Sequence, residues 1–140
     1  MNLAGISTRQ GVELTANVNF FEGLTAGVTY TYLEAYDPSG KREVRRPQHS
    51  GAINLAYTLE DIPLTVHGEV VVTGEATDAL SGTTYILAPH TVVNGGLNYK
   101  ISDQVEIYGR VHNLFDAKYQ EVYGYNTQGR TFYAGARAQF

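Results

Sequence analysis

The sequence contains no cysteine. A disulfide framework and a thiolate metal site are both excluded. Tryptophan is absent too, and there are only 4 prolines. No run approaches the ~18 consecutive apolar residues of a membrane helix. The opening segment MNLAGISTRQ lacks a basic stretch followed by an apolar one, so it does not read as a secretory signal. Basic charge is scarce: the net charge is -4 at pH 7 and the sequence pI is about 5.5. Nucleic acid is therefore a poor candidate partner, since phosphate binding needs clustered Lys and Arg. The single basic cluster, KREVRR (residues 41–46), also contains Glu43. No phosphate-cradling glycine loop is present, and Gly95-Gly96 reads as strand with close backbone approach.

Glycine (15) and tyrosine (11) are abundant in the 140 residues, a composition that suits strands joined by turns. Helical periodicity is missing, while period-2 alternation runs through most of the chain. Residues 10–20 set Val12, Leu14, Ala16, Val18 and Phe20 against Glu13, Thr15, Asn17 and Asn19. The same pattern predicts strands over residues 24–36, 49–60, 63–76, 90–101, 104–115 and 130–140. Several are longer than the ~5–6 residues typical of soluble sheets and match the ~9–11 residues of a tilted membrane strand. The connections alternate: FEG, EDI and SD are short, whereas DPSGKREVRRPQ, ATDALSGTTYILAP and DAKYQEVYGYNTQG are long. Outer-membrane barrels alternate in this way, with tight periplasmic turns and longer extracellular loops.

The predicted fold is all-β: an antiparallel up-and-down meander of about seven long strands, forming an arc of a transmembrane β-barrel. If the long loops are outside, the last strand runs inward and Phe140 lies at the periplasmic rim, with Met1 near the outside. Phe20, Phe21, Tyr57 and Tyr99 then fall at short-turn ends, and Tyr32, Tyr36, Phe115 and Phe132 at long-loop ends. Two aromatic levels around an aliphatic band resemble the interface girdles of such barrels. Alternation persists through Phe132, Ala134, Ala136 and Ala138 to Phe140 because lipid contacts one face almost to the end. The opposite face carries Asn, Thr, Glu, Arg and His, and is read as wet.

The segment VHNLFDAKYQEVYGYNTQGRTFYAGARAQF (residues 111–140) resembles the C-terminal end of TonB-dependent outer-membrane receptors. Asn113, Leu114, Phe115, Asp116, Tyr119, Tyr123, Gly124, Tyr125, Gly129, Arg130 and Phe140 carry the likeness. RQGVEL (residues 9–14), TYTYLEA (29–35) and RRPQHS (45–50) look like matching barrel segments. VYGYNTQGR is most similar to the cobalamin-receptor branch, a look shared with siderophore receptors. The resemblance implies a non-enzymatic importer: a 22-stranded barrel around a plug that binds an iron-siderophore, cobalamin or haem type ligand. A TonB energy-coupling complex acts through the plug in such receptors, and the terminal aromatic is similar to the signal read by the barrel-assembly machinery. With about seven strands, and with plug, signal peptide and coupling box absent, residues 1–140 are expected to be the C-terminal part of a receptor barrel, inactive alone. Seven strands place the chain ends on opposite sides and leave two edges unpaired, which is costly in hydrocarbon.

Tyr119, Tyr123, Tyr125, Asn126, Gln128 and Arg130 are candidates for contact with ligand or plug, set against girdle anchoring and folding of the loop itself. Lys41, Arg42, Arg45 and Arg46 form a basic extracellular loop that could meet anionic lipopolysaccharide or an anionic chelate, set against plain solvation. His67 with Glu69, and Glu106 with Arg110 and His112, have the spacing of metal ligands or an acid/base pair, but they read better as paired charges on a hydrated wall. His49 and His90 begin strands near long loops, and Ser50 beside His49 forms no argued nucleophile set. No catalytic residue, cofactor or metal is predicted. Competing readings are a small soluble lipocalin-like β-barrel binding module and a barrel enzyme using His67 or His112.

Overall fold

The computed structural model describes residues 5–140. The expectation for Met1 lies outside the described residues. In chain order the strands are β1 (Thr8–Phe21), β2 (Leu24–Tyr36), β3 (His49–Thr58), β4 (Leu64–Thr73), β5 (Ala76–Leu80), β6 (Thr83–Leu87), β7 (His90–Lys100), β8 (Val105–His112) and β9 (Thr131–Ala138). Seven of them form one antiparallel sheet in the order β1-β2-β3-β4-β7-β8-β9. The meander predicted from alternation is the meander observed. Residues 22–23, 59–63 and 101–104 make the short connections, and residues 37–48, 74–89 and 113–130 the long ones. Thr8 pairs with Tyr36 at the long-connection rim, and Ala138 pairs with Val105 at the short-connection rim.

Register converts sequence parity into two faces, because alternate side chains point to opposite sides. Ala16, Val28, Ile53, Val70 and Val93 are consecutive cross-strand partners and make an aliphatic row. One residue further along, Asn17, Gly27, Asn54, Glu69 and Asn94 make a polar row. The polar face is concave: Asn17 of β1 and Tyr133 of β9 line one cavity of about 900 Å³. Among the described residues β1 and β9 do not pair, so the arc stays open.

Among the described residues the apolar side has no internal partner: the buried hydrophobics are Ala35, Leu87 and Val92, while Leu14 is 60% and Ile53 49% exposed. The chain exposes 10195 Å², against about 7,200 Å² for a globular monomer of its mass. A lipocalin-like module needs a closed barrel around its ligand cavity; an arc whose first and last strands stay unpaired is a different object.

Two glycines keep that hollow clear. Tyr108 of β8 lies flat across its register partner Gly135, where a Cβ would stand 2.5 Å from the Tyr108 hydroxyl and 2.6 Å from Cζ. A Cβ on Gly96 would likewise collide with the imidazole of His67. Gly135→Val is expected to cost about 1–3 kcal/mol by overpacking. Tyr108→Ala in the same chain should recover most of that loss, read as the denaturant midpoint of the folded protein.

The stretch 74–89 departs from the loop expected there. It contains the hairpin β5–β6, closed by Ser81 (φ 52°) and Gly82 (φ 83°). Positive φ at both central positions is the type I′ turn that matches strand twist. Strand ends differ as well. β3 stops at Thr58, and β4 runs only from Leu64 to Thr73. β8 ends at His112 because Asn113 turns to φ 52°. β9 ends at Ala138; the Gln139 amide still donates to Gln104 O at 2.9 Å, and Phe140 is fully exposed.

Candidate functional site

The three long connections gather at one rim, and each is shaped by a short acidic or amide side chain. In residues 37–48, Asp37 Oδ1 accepts from the Ser39 amide (2.8 Å), the Ser39 hydroxyl (2.7 Å) and the Lys41 amide (3.0 Å). These bonds, the Ser39 hydroxyl first, hold the Asp37 carboxyl below its usual range. In residues 113–130, Asn113 is fully buried. Its Oδ1 accepts from the Ala117 amide at 2.8 Å and its Nδ2 donates to Ala117 O at 2.9 Å. Asp116 closes the other end, accepting from Lys118 Nζ and the Arg130 amide at 2.9 Å each. Lys118, then Arg130, lowers its pKa. Strand-ending Asn and Asp with positive φ suit this, since both tolerate the left-handed region.

Asp78 of β5 joins the three segments. It is 2% exposed. Oδ1 accepts from Arg45 Nε at 2.9 Å and from the Ala79 amide at 2.8 Å; Oδ2 accepts from the Tyr123 amide at 2.8 Å. The Arg45 amide also donates to Thr77 O at 2.7 Å. Two aromatic stacks brace the assembly: Tyr85 on Tyr123 (centroids 3.6 Å, planes 16° apart) and His90 on Tyr119 (4.0 Å, 18°). Between loops and strand ends lies a cavity of about 370 Å³ bordered by Arg45, His90, Gln120 and Glu121.

The Tyr123 amide, with Arg45 and the Ala79 amide, lowers the Asp78 pKa, outweighing the rise that burial causes. A carboxyl whose folded pKa lies below its unfolded value stabilises fully above the unfolded value, about 3.9, and the contribution is lost as pH falls through the folded value. Facing it are Arg45, Tyr85, Tyr123 and Tyr125; Glu121 borders the neighbouring cavity. Exchange protection of the Tyr123 amide should therefore stay flat from pH 7 to 5 and fall only below about pH 4. A fall centred near neutrality would assign the loop's stability to another group.

The candidates singled out from sequence separate into two groups. Tyr119, Tyr123 and Arg130 are engaged in holding the loop; the Arg130 guanidinium donates to Leu114 O at 3.3 Å. Tyr125, Asn126 and Gln128 are exposed, with Tyr125 at 73%. The basic residues are dispersed rather than pooled. Arg42 donates to Gln48 Oε1 at 2.6 Å, Arg45 goes to Asp78, Arg46 stands 3.9 Å from Glu43, and Lys41 is exposed. Glu43 is itself held by Arg9 at 2.9 Å. On the concave wall Asn94 donates to Glu69 (2.8 Å), Asn98 donates to Glu106 (2.9 Å), and Arg110 lies 5.1 Å above the Tyr108 ring. His49 sits on the apolar side, its Nδ1 2.8 Å from the Tyr30 hydroxyl. Asp78, Tyr85 and the His90 stack were not singled out from sequence. The Ser81-Gly82 turn signal was the one cue to the element that carries Asp78.

Comparisons with known proteins agree with this architecture. A profile of the family described as TonB dependent receptor-like, beta-barrel matches residues 2–114. The vitamin B12 transporter BtuB of Photobacterium profundum is 35% identical over 133 residues, 94% of this chain and 21% of that protein. The iron-regulated outer membrane virulence protein of Vibrio cholerae serotype O1 is 27% identical over 143 residues, 93% of this chain and 21% of that protein. Among solved structures, the ferripyoverdine receptor of the outer membrane of Pseudomonas aeruginosa superposes with a TM-score of 0.81 at 21% identity, covering 96% of this chain and 20% of that one. The chain thus spans about a fifth of the length of the relatives it matches. An open seven-stranded meander, apolar without and polar within, together with the profile match over most of its length, makes this chain a member of the TonB-dependent receptor β-barrel family.

Proposed function

We propose that residues 1–140 form the C-terminal part of an outer-membrane TonB-dependent receptor barrel. The whole receptor would import a scarce nutrient of cobalamin, iron-siderophore or haem type, with no enzymatic step. The supporting observation is that the likeness to a vitamin B12 transporter runs along 94% of this chain but only 21% of that protein. In this reading the exposed aliphatic rows meet lipid. The long-connection rim faces outward beside lipopolysaccharide, and Phe140 lies at the periplasmic rim, where barrel-assembly machinery reads it. The polar hollow receives a plug, and the TonB complex acts only through that plug. Tyr119, Tyr123, Tyr125, Asn126, Gln128 and Arg130 belong to the rim that ligand or plug touches, and Lys41, Arg42, Arg45 and Arg46 to its basic loop. Cobalamin stands first because the transporter of that vitamin is the relative quoted above with the higher identity; a ferric siderophore is the alternative.

The experiment is an immunoblot of outer membranes with an antibody to EVYGYNTQGR, paired with binding of cyanocobalamin and ferric siderophores to the same membranes. A band that resists carbonate extraction, together with binding lost on gene deletion, is the expected result. A band confined to the soluble fraction would end the membrane reading. Binding unchanged by deletion would end the import reading.

A further inference from the structure

Residues 37–48 and 113–130 leave the sheet from different strands. Among the described residues no hydrogen bond joins them directly. They meet through Asp78: Oδ1 holds Arg45 of the first segment, and Oδ2 holds the Tyr123 amide of the second. The hairpin that carries Asp78 extends β4 and β7 beyond a break at residues 74–75 and 88–89. Gly74 at that break stays in register with β3, donating to His49 O at 2.8 Å. The hairpin beyond it is a separate two-stranded sheet, and its placement depends on what grips it. Arg45 is itself held in the left-handed region, φ 57°, which a non-glycine residue keeps only when its surroundings enforce it. Here the enforcing contacts are the Thr77 carbonyl and Asp78.

We propose that Asp78 is a two-sided clasp, a positioning residue whose single carboxylate couples the basic segment to the aromatic one, so that displacement of either loop is felt by the other. The purpose of the coupling rests on the reading of these loops as the ligand-receiving rim. The coupling itself is tested without any ligand.

The test uses pairs of spin labels on exposed sites, one per segment: Lys41, Thr84 of the hairpin, and Glu121. The chain contains no cysteine, so each label is placed by one introduced thiol. Distances are measured on the protein as its cell makes it, in isolated outer membranes. All three pairs should give narrow distributions in the unaltered protein. Asp78→Ala should broaden the Lys41–Glu121 pair although the substitution lies in neither labelled segment. Asp78→Asn divides the two sides. The amide oxygen can still accept from Arg45 and Ala79, but the amide nitrogen would face the Tyr123 N–H, donor against donor. The Lys41–Thr84 pair should then stay narrow while Thr84–Glu121 broadens. Arg45→Ala should give the converse, so the test survives if Asp78→Ala does not fold. A Lys41–Glu121 distribution that stays narrow in Asp78→Ala, or equal broadening of both sides in Asp78→Asn, overturns the clasp.

Discussion

Asn113→Ala is expected to cost the folded chain about 3 kcal/mol or more. Two losses combine. The Ala117 amide and carbonyl lose their partner in a place where Asn113 is fully buried, and each unsatisfied buried group costs about 1–3 kcal/mol. Alanine must also hold φ 52°, which costs an L-residue other than Asn, Asp or Gly about 1–2 kcal/mol. Asn113→Gly separates the two losses: it keeps the backbone easy while losing the same hydrogen bonds. Its cost should be smaller than alanine's by about 1 kcal/mol. Denaturant midpoints measure both, and protease sensitivity of residues 113–130 locates the damage. If alanine is tolerated with less than about 1 kcal/mol, the side-chain bonds do not shape this loop.

Val70→Arg should be comparably damaging, for a different reason. Val70 sits in the aliphatic row between Ile53 and Val93. Arginine at the middle of a lipid-facing barrel surface costs about 2–4 kcal/mol. Asn54→Arg is the control. Asn54 borders the polar hollow, so the cost there should stay within about 0.5 kcal/mol. Folded fraction in outer membranes, compared for the two variants, reads the difference. Equal costs on both faces would mean that the aliphatic side does not face lipid.

The faces were legible in the sequence because a sheet preserves parity. Once Val12, Leu14 and Val18 alternate with Glu13, Asn17 and Asn19, the twofold repeat of the strand assigns them to opposite sides without any knowledge of partners. The alternating connections were legible for a similar reason, being a property of spacing alone. The hairpin β5–β6 was not. Its strands of 5 residues each are too short to display a period, and Ser81-Gly82 alone does not announce a strand on either side. Asp78 was invisible for a deeper reason. Nothing local marks a carboxylate whose partners lie 33 and 45 positions away; tertiary structure creates that site. The same holds for the aromatic residues of the last long loop. Sequence left Tyr119 and Tyr123 open between contact with ligand or plug and a part in anchoring and folding the loop, and the partners that fold them in, His90 and Tyr85, lie too far along the chain to be read locally. Tyr125, Asn126 and Gln128 are left as the outward-facing part of that group.

The aliphatic rows also set a length. On β4 the outward side chains run from Leu64 to Val72, eight residue steps, or ~27 Å along the strand and ~20 Å along the membrane normal at the usual barrel tilt. An ordinary bilayer core of ~30 Å would have to compress by about 10 Å to meet it, at a fraction of a kcal/mol for each ångström. The bacterial outer membrane is thinner than average. Hydrophobic thickness therefore sorts this sheet toward thin membranes independently of any receptor-read address, and short-chain lipids are the better solvent for reconstituting it.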